Sequence, residues 1–263
     1  MKKTSLSVVF TLFALLSIAQ PSSPNCEGSL KQLPVLWQQT AAEYRALCYQ
    51  AFNIATVRLN AIPKKQLRKQ KLAIVTDLDE TVLDNSYSEV RLMREGKSFT
   101  PQLWKQWSDK AAATAVPGAV EFLQTAHKKG IAVFYISNRD VTEKDSTLLN
   151  LQRLGLPDAD TAHLLFMTNN VSSKETRRIT VSKSYNIIML LGDNLNDFTL
   201  AFEKKPIATR FAETDLVKNE WGKKFIVLPN ATYGEWESAV YDYERGLTPE
   251  QKEKKRNDKM KGY

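Results

Sequence analysis

Five short runs of almost unbroken apolar residues mark the middle of the chain: "LAIVTD" (72–77), "IAVFYIS" (131–137), "LLFM" (164–167), "NIIMLLGD" (186–193) and "KFIVL" (224–228). Runs of this length without polar alternation predict strands buried on both faces. Between them, stretches 118–129, 142–154, 173–183 and 196–202 predict helices. Alternating strands and helices predict an α/β fold, a parallel sheet covered on both sides. Upstream, 33–59 contains no glycine and repeats Leu36, Trp37, Thr40, Tyr44, Leu47, Tyr49 and Ala51 at helical spacing. That stretch predicts one or two helices, closed by Pro63 and the basic residues after it, while 20–29 reads as an irregular lead. The resulting division is a leader (1–19), an N-terminal lead with a small helical accessory lobe (20–70), a core (71–241) and a charged tail (242–263).

Composition narrows the class. The chain has 263 residues, 43% hydrophobic and 25% charged, an ordinary globular balance with room for one large core. Lys2 and Lys3 precede an apolar stretch (6–19) that is short for a membrane span, and Ser17-Ile18-Ala19 offers small residues before a cleavage point. The expectation is a secretory signal cut before Gln20, with an uncleaved anchor as the alternative; its loss takes the formal charge from +8 to +6. The oxidising envelope then allows, without requiring, a disulfide between Cys26 and Cys48. Ser22 to Asn25 do not resemble the residues that precede a lipidated cysteine, so lipoprotein anchoring is not supported and a periplasmic or cell-envelope protein is expected. Lysines and arginines are dispersed except in the tail, "EQKEKKRNDKMKGY" (250–263), which reads as a solvated helix end. No nucleic-acid polymer is expected as a partner. Peripheral association with a membrane and attraction of a small anionic substrate remain compatible with the basic balance.

The strand ends carry the candidate chemistry. In an open parallel sheet, ligands bind beyond the carboxyl ends of the strands. Asp77, Ser137 and Asp193 each end an apolar run, so three distant segments converge on one crevice. Asp77 and Asp79, within "AIVTDLDETVLDN" (73–85), can supply a nucleophile and a general acid; two solvated aspartates in a turn is the plainer reading. In "LLGDNLNDF" (190–198), Asp193 and Asp197 are hard oxygen donors suited to Mg²⁺; the plainer reading makes Asn194 and Asp197 simple helix caps. The hydroxyl in "ISNRD" (136–140) and the lysine in "SSKETRR" (172–178) can hold phosphate oxygens; each alone is a turn and a surface lysine, and the joint pattern shifts the balance.

With those four motifs in that order, the sequence resembles the haloacid dehalogenase (HAD) superfamily of phosphotransferases. Within it, the chain is similar to the class C bacterial acid phosphatases, the lipoprotein e group of 5′-nucleotidases, from about Leu33 to Glu237. The resemblance implies a HAD-like Rossmannoid sheet and a Mg²⁺-dependent phosphomonoesterase acting through an aspartyl-phosphate on nucleoside monophosphates and related esters. It implies that Asp77 attacks phosphorus and that Asp79 protonates the leaving group and then activates water. Mg²⁺ would be held by Asp77, the main-chain carbonyl of Asp79, and Asp193, with Asp197 orienting its waters. Ser137, Lys174 and Asn138 would grip phosphate oxygens. Phe99 and Tyr233 would sandwich the nucleobase or nicotinamide ring, whereas Trp104, Trp107 and Trp236 read as interior packing. An acid two residues after the nucleophile is the phosphatase-type residue and argues against a dehalogenase. His127 and His163 read as non-catalytic. The alternatives are a catalytically retired HAD-fold carrier or storage protein for haem or a nucleotide, and a phosphotransferase or mutase.

Overall fold

The computed structural model describes residues 26–263; the expected leader and its cleavage point lie outside them. Two N-terminal helices, α1 (Cys26–Thr40) and α2 (Ala42–Asn60), are followed by the short α3 (Lys64–Lys69) and the first strand, β1 (Leu72–Thr76). Next come β2 (Leu83–Asp84), α4 (Ser86–Arg94), α5 (Pro101–Ser108), β3 (Thr114–Ala115), α6 (Ala119–Lys128), β4 (Ala132–Asp140) and α7 (Lys144–Arg153). The remainder is β5 (Leu164–Met167), α8 (Glu175–Ser182), β6 (Asn186–Gly192), α9 (Ile207–Leu216), β7 (Phe225–Val227), α10 (Glu235–Val240) and α11 (Pro249–Lys259).

The parallel sheet flanked by helices forms as expected, five strands in the order β5-β4-β1-β6-β7. Successive side chains of β1 enter opposite cores. Leu72 and Ile74 join Phe52, Leu59, Leu123 and Tyr135 on one face; Ala73 and Val75 join Phe134, Leu190, Phe198 and Phe225 on the other. That double burial is why these strands read as continuous apolar runs. Each such large aliphatic or aromatic side chain contributes roughly 1.5–3 kcal/mol.

The N-terminal helices share this core. α2 buries Tyr44, Cys48, Phe52, Ala55 and Leu59, a stripe at spacings of four and three. The stripe expected from sequence is partly displaced: Leu36, Leu47 and Tyr49 are exposed. The lead is shorter than expected too, since α1 is helical from Cys26. Cys48 is a free, fully buried thiol, and burial pushes its pKa up to about 11.

Stretch 196–202 does not form the expected helix. Two 3₁₀ turns, Leu195–Asp197 and Leu200–Phe202, take its place. Asn194 and Thr199 explain the break: each accepts a main-chain N–H two residues on, at 3.3 Å, and such local bonds compete with a helical ladder. The C-terminal α11 opens with Thr248 as N-cap, buries no residue, and is tied back by Lys255 to Asp242 and Glu244 at 2.9 and 2.8 Å.

Candidate active site

Thr76 is level with Tyr135 on β4 and Leu191 on β6. The residues after it therefore leave the sheet beside Ser137 and Asp193, as strand-end convergence required. Asp77 N–H donates to the Leu191 carbonyl at 3.0 Å, the last main-chain bond holding this segment to β6. The chain then turns sharply. Leu78 O accepts the N–H groups of Val82 and Leu83, both at 2.8 Å, and Glu80 takes a left-handed φ of 61°. The short antiparallel pair β2–β3 extends from this turn.

Lys174, buried at the N-cap of α8, is ion-paired with both Asp77 and Asp197, the latter at 2.6 Å. Asp197 comes from the turn after β6, where its other oxygen accepts Asn194 N–H at 3.1 Å. Asp193 accepts from Asn230 Nδ2 at 2.7 Å and from Thr81 Oγ1 at 3.3 Å. Gly192 makes this close packing feasible, because a Cβ there would stand 2.7 Å from Asp197 Cγ.

Ligand oxygens of Asp77, Asp193 and Asp197 lie within 4.8 Å of one another. Burial, followed by repulsion from neighbouring carboxylates, raises Asp77 well above the usual carboxylate range and pushes Asp193 to about 7. Burial alone would lower Lys174; Asp197 and Asp77 more than offset it, so the ammonium stays charged. When all three carboxylates are ionised, the single ammonium leaves two negative charges uncompensated. An all-oxygen donor set with that deficit fits a hard divalent cation.

Asp79 is held differently. Arg139 Nε reaches both its carboxylate oxygens at 3.1 Å, and NH2 reaches Oδ1 at 2.7 Å. Asn85 Nδ2 adds a bond to Oδ1 at 2.9 Å, and Ser137 Oγ a longer one to Oδ2 at 3.4 Å. Asn85 is in turn fixed by Trp107 Nε1 at 2.8 Å, and the free edge of the guanidinium donates to Thr147 Oγ1 at 3.1 Å. Buried Arg139 would lose affinity for its proton; the Asp79 carboxylate reverses that.

A cleft of about 860 Å³ opens above these groups, lined by Asp77, Asp79, Lys174, Asp193 and Asp197 together with Asn138, Phe99 and Tyr233. Asn138 Oδ1 accepts from Arg177 at 2.6 Å. Phe99 is half exposed and lies 6.2 Å from the Trp104 ring; Lys31 Nζ lies 5.7 Å from the Tyr233 ring centre.

Two tryptophans depart from the expected interior packing. Trp236 is 45% exposed and donates to the Tyr233 carbonyl at 3.2 Å. Trp104 lines the cleft, its ring 5.4 Å from the Arg139 guanidinium. Of the three tryptophans expected inside, Trp107 packs against the core. His127 and His163 pair with Asp158 and Asp160 away from the cleft.

Sequence reasoning assigned no role to Arg139, Asn85, Asn230 or Lys31. Arg139 and Asn85 stand inside the strand-end motifs 136–140 and 73–85, and Asn230 lies two residues after the apolar run 224–228, so adjacency to strand ends was the available signal. Lys31, paired with the buried Glu89 at 2.9 Å, comes from α1 and had none.

An aspartate at the end of a central parallel strand, grouped with a lysine and two further acids, is the arrangement expected of a HAD-class phosphatase. The comparisons carry this further, and the chain belongs to the HAD superfamily, subfamily IIIB (Acid phosphatase), whose family pattern it matches over residues 22–236. It is therefore a phosphoric monoester hydrolase. It is 40% identical to the class C acid phosphatase from Bacillus anthracis, with a TM-score of 0.85, covering 90% of this chain and 99% of that one. A tungstate-bound structure of the Bacillus anthracis enzyme aligns equally well, at 40% identity and a TM-score of 0.85, over 90% of this chain and 98% of that one. HAD phosphatases use a divalent metal, and the acidic cluster able to hold one is present.

Proposed function

We propose that this chain is an exported, Mg²⁺-dependent phosphomonoesterase that hydrolyses nucleoside monophosphates and related esters through an aspartyl-phosphate. The observation that carries this is the pairing, in one cleft, of a charge-deficient Asp77–Asp193–Asp197 cluster with a separately caged Asp79. Asp77 Oδ forms the bond to phosphorus as the P–O bond to the leaving group breaks. Asp79 gives that oxygen its proton and then takes one from the water that releases phosphate. Lys174 and Ser137 hold phosphoryl oxygens; the Bacillus anthracis enzyme, 40% identical, has a structure with tungstate, a tetrahedral oxyanion, bound.

Asp77, Asp193 and the Asp79 carbonyl would hold Mg²⁺, with Asp197 orienting its water shell. The ion would supply positive charge to the transferring phosphoryl group. Phe99 and Tyr233, both on the cleft wall, favour an aromatic leaving portion, each stack contributing about 1–3 kcal/mol.

Hydrolysis of 4-nitrophenyl phosphate and of nucleoside monophosphates, before and after chelation, tests the reading. Activity should vanish with EDTA and return with Mg²⁺, with nucleotides preferred over glycerol phosphate. Turnover indifferent to chelator would reject it.

A further inference from the structure

The sheet has a second charged end. Lys69 and Lys71 precede β1, Lys183 precedes β6, and Lys218, Lys223 and Lys224 precede β7. β1, β6 and β7 are parallel neighbours, so these lysines emerge together at the end opposite the cleft. The six residues from Lys71 to Asp77 set a separation of about 20 Å. All six lysines are exposed. Lys223 lies 4.0 Å from Glu220; the other five have no ion pair among the described residues. Asp215 and Glu220 lie in sequence among Leu216, Lys218 and Lys223, and Glu175, at the cleft end of α8, is paired with Arg178 at 2.5 Å.

Lys71, Lys183 and Lys224, with Tyr185, line one end of a groove of about 750 Å³ that runs along α8 past Ile179 and Arg178 to Glu175, Phe198 and Thr199. Aliphatic side chains stand out beside the lysines. Ile179 is 48% exposed, and Leu216, two residues before Lys218, is 77% exposed. A polyanion in solution would need the cations alone. Cations interleaved with protruding aliphatic side chains are the composition of a surface lying at a lipid headgroup boundary.

We propose that this face docks on an anionic lipid bilayer, with the catalytic cleft at the far end left open to solution. Each lysine near an anionic leaflet contributes about a fivefold gain in partition, and salt screens it. The inference is independent of the phosphatase chemistry, which serves as the control for folding.

Sedimentation of the full chain with vesicles tests it, comparing phosphatidylcholine alone with an equal mixture of phosphatidylcholine and phosphatidylglycerol. Excess partition on the anionic vesicles, lost at high salt, is expected. Lys71→Glu/Lys183→Glu/Lys224→Glu should reduce that excess at least about tenfold, and Leu216→Ser several-fold, while both variants hydrolyse 4-nitrophenyl phosphate like the unmodified chain. Equal partition on the two vesicle types would overturn the proposal, as would unchanged partition of the triple variant. Loss of the excess in Lys254→Glu/Lys261→Glu instead would assign binding to the C-terminal helix and also overturn it. Full retention of anionic binding in Leu216→Ser would reduce the face to a polyanion site and reject the bilayer.

Discussion

Asp77 and Asp79 are two residues apart and sit in opposite surroundings. Asp77 shares one ammonium, Lys174, with Asp197 and has Asp193 beside it; the group is short of positive charge. Asp79 meets a guanidinium and an amide in a charge-balanced cage, with every group around it fixed by a further hydrogen bond. The difference separates two requirements of phosphoryl transfer. In the mechanism proposed above, the nucleophile's side would be completed by a cation from solution, whereas the acid–base side is completed by the protein alone. Burial raises Asp77 and its neighbour Asp193, so a cation that binds there displaces protons as well as relieving repulsion.

The largest break in this comparison is Asp77→Asn. An amide keeps the shape and the hydrogen bond to Lys174 but cannot attack phosphorus. Turnover should fall by at least about 10⁴-fold while a nucleotide still binds, as read by equilibrium dialysis. Near-normal turnover would remove the nucleophile assignment and with it the contrast.

Asp79→Asn comes next, with an effect that depends on the leaving group. General acid catalysis contributes about 10²–10⁴-fold, and mostly for oxygens that leave badly without a proton. Alkyl phosphates and nucleotides should suffer the full loss, and 4-nitrophenyl phosphate distinctly less. Equal losses on both substrate types would make Asp79 a structural ligand only.

Arg139→Lys then sharpens the comparison. Lysine keeps the charge but loses the planar fork that meets both Asp79 oxygens. The expected loss in kcat is about 10–10²-fold, the usual consequence of a reacting group displaced by an ångström or so. KM should change little, because Nε and NH2 are committed to Asp79 and NH1 to Thr147. A rise in KM with kcat preserved would show that the guanidinium serves the substrate directly.

These contrasts were unevenly legible in the sequence. The five strands were plain because burial on both faces leaves no polar positions to interrupt them. Asp77, Ser137 and Asp193 converged for the same reason: strand ends in a parallel sheet share one edge. Arg139 was quoted within "ISNRD" yet carried no signal of its partner, since a residue sixty positions from Asp79 reveals its contact only through the sheet register. Asn194 does cap, but it caps a 3₁₀ turn, because local side-chain bonds from Asn194 and Thr199 interrupt the helix expected over 196–202. β2 and β3, two residues each, are too short to show any period. Lys31 entered the cleft from a helix expected to begin after it.

The smallest expected effect concerns Glu80, which lies between the two aspartate environments and belongs to neither. It is buried at 2% exposure; Oε1 accepts Asn85 N–H at 3.0 Å and Oε2 has no hydrogen-bond partner among the described residues. Burial, then the charges of Asp79 and Asp193, holds its pKa well above the usual 4.5. For a carboxyl raised on folding, the favourable contribution is complete below the unfolded pKa and disappears as pH rises through the folded one. Glu80→Gln retains a neutral side chain at every pH. Its melting temperature should match the unmodified protein near pH 4 and exceed it at pH 8 by on the order of 2–4 °C. The comparison is made with Mg²⁺ present, because Asp193, at about 7 without a cation, changes stability in the same direction. A variant that is less stable at pH 8 would mean that the Glu80 charge is compensated after all, and that the cage around Asp79 extends one residue further than the hydrogen bonds indicate.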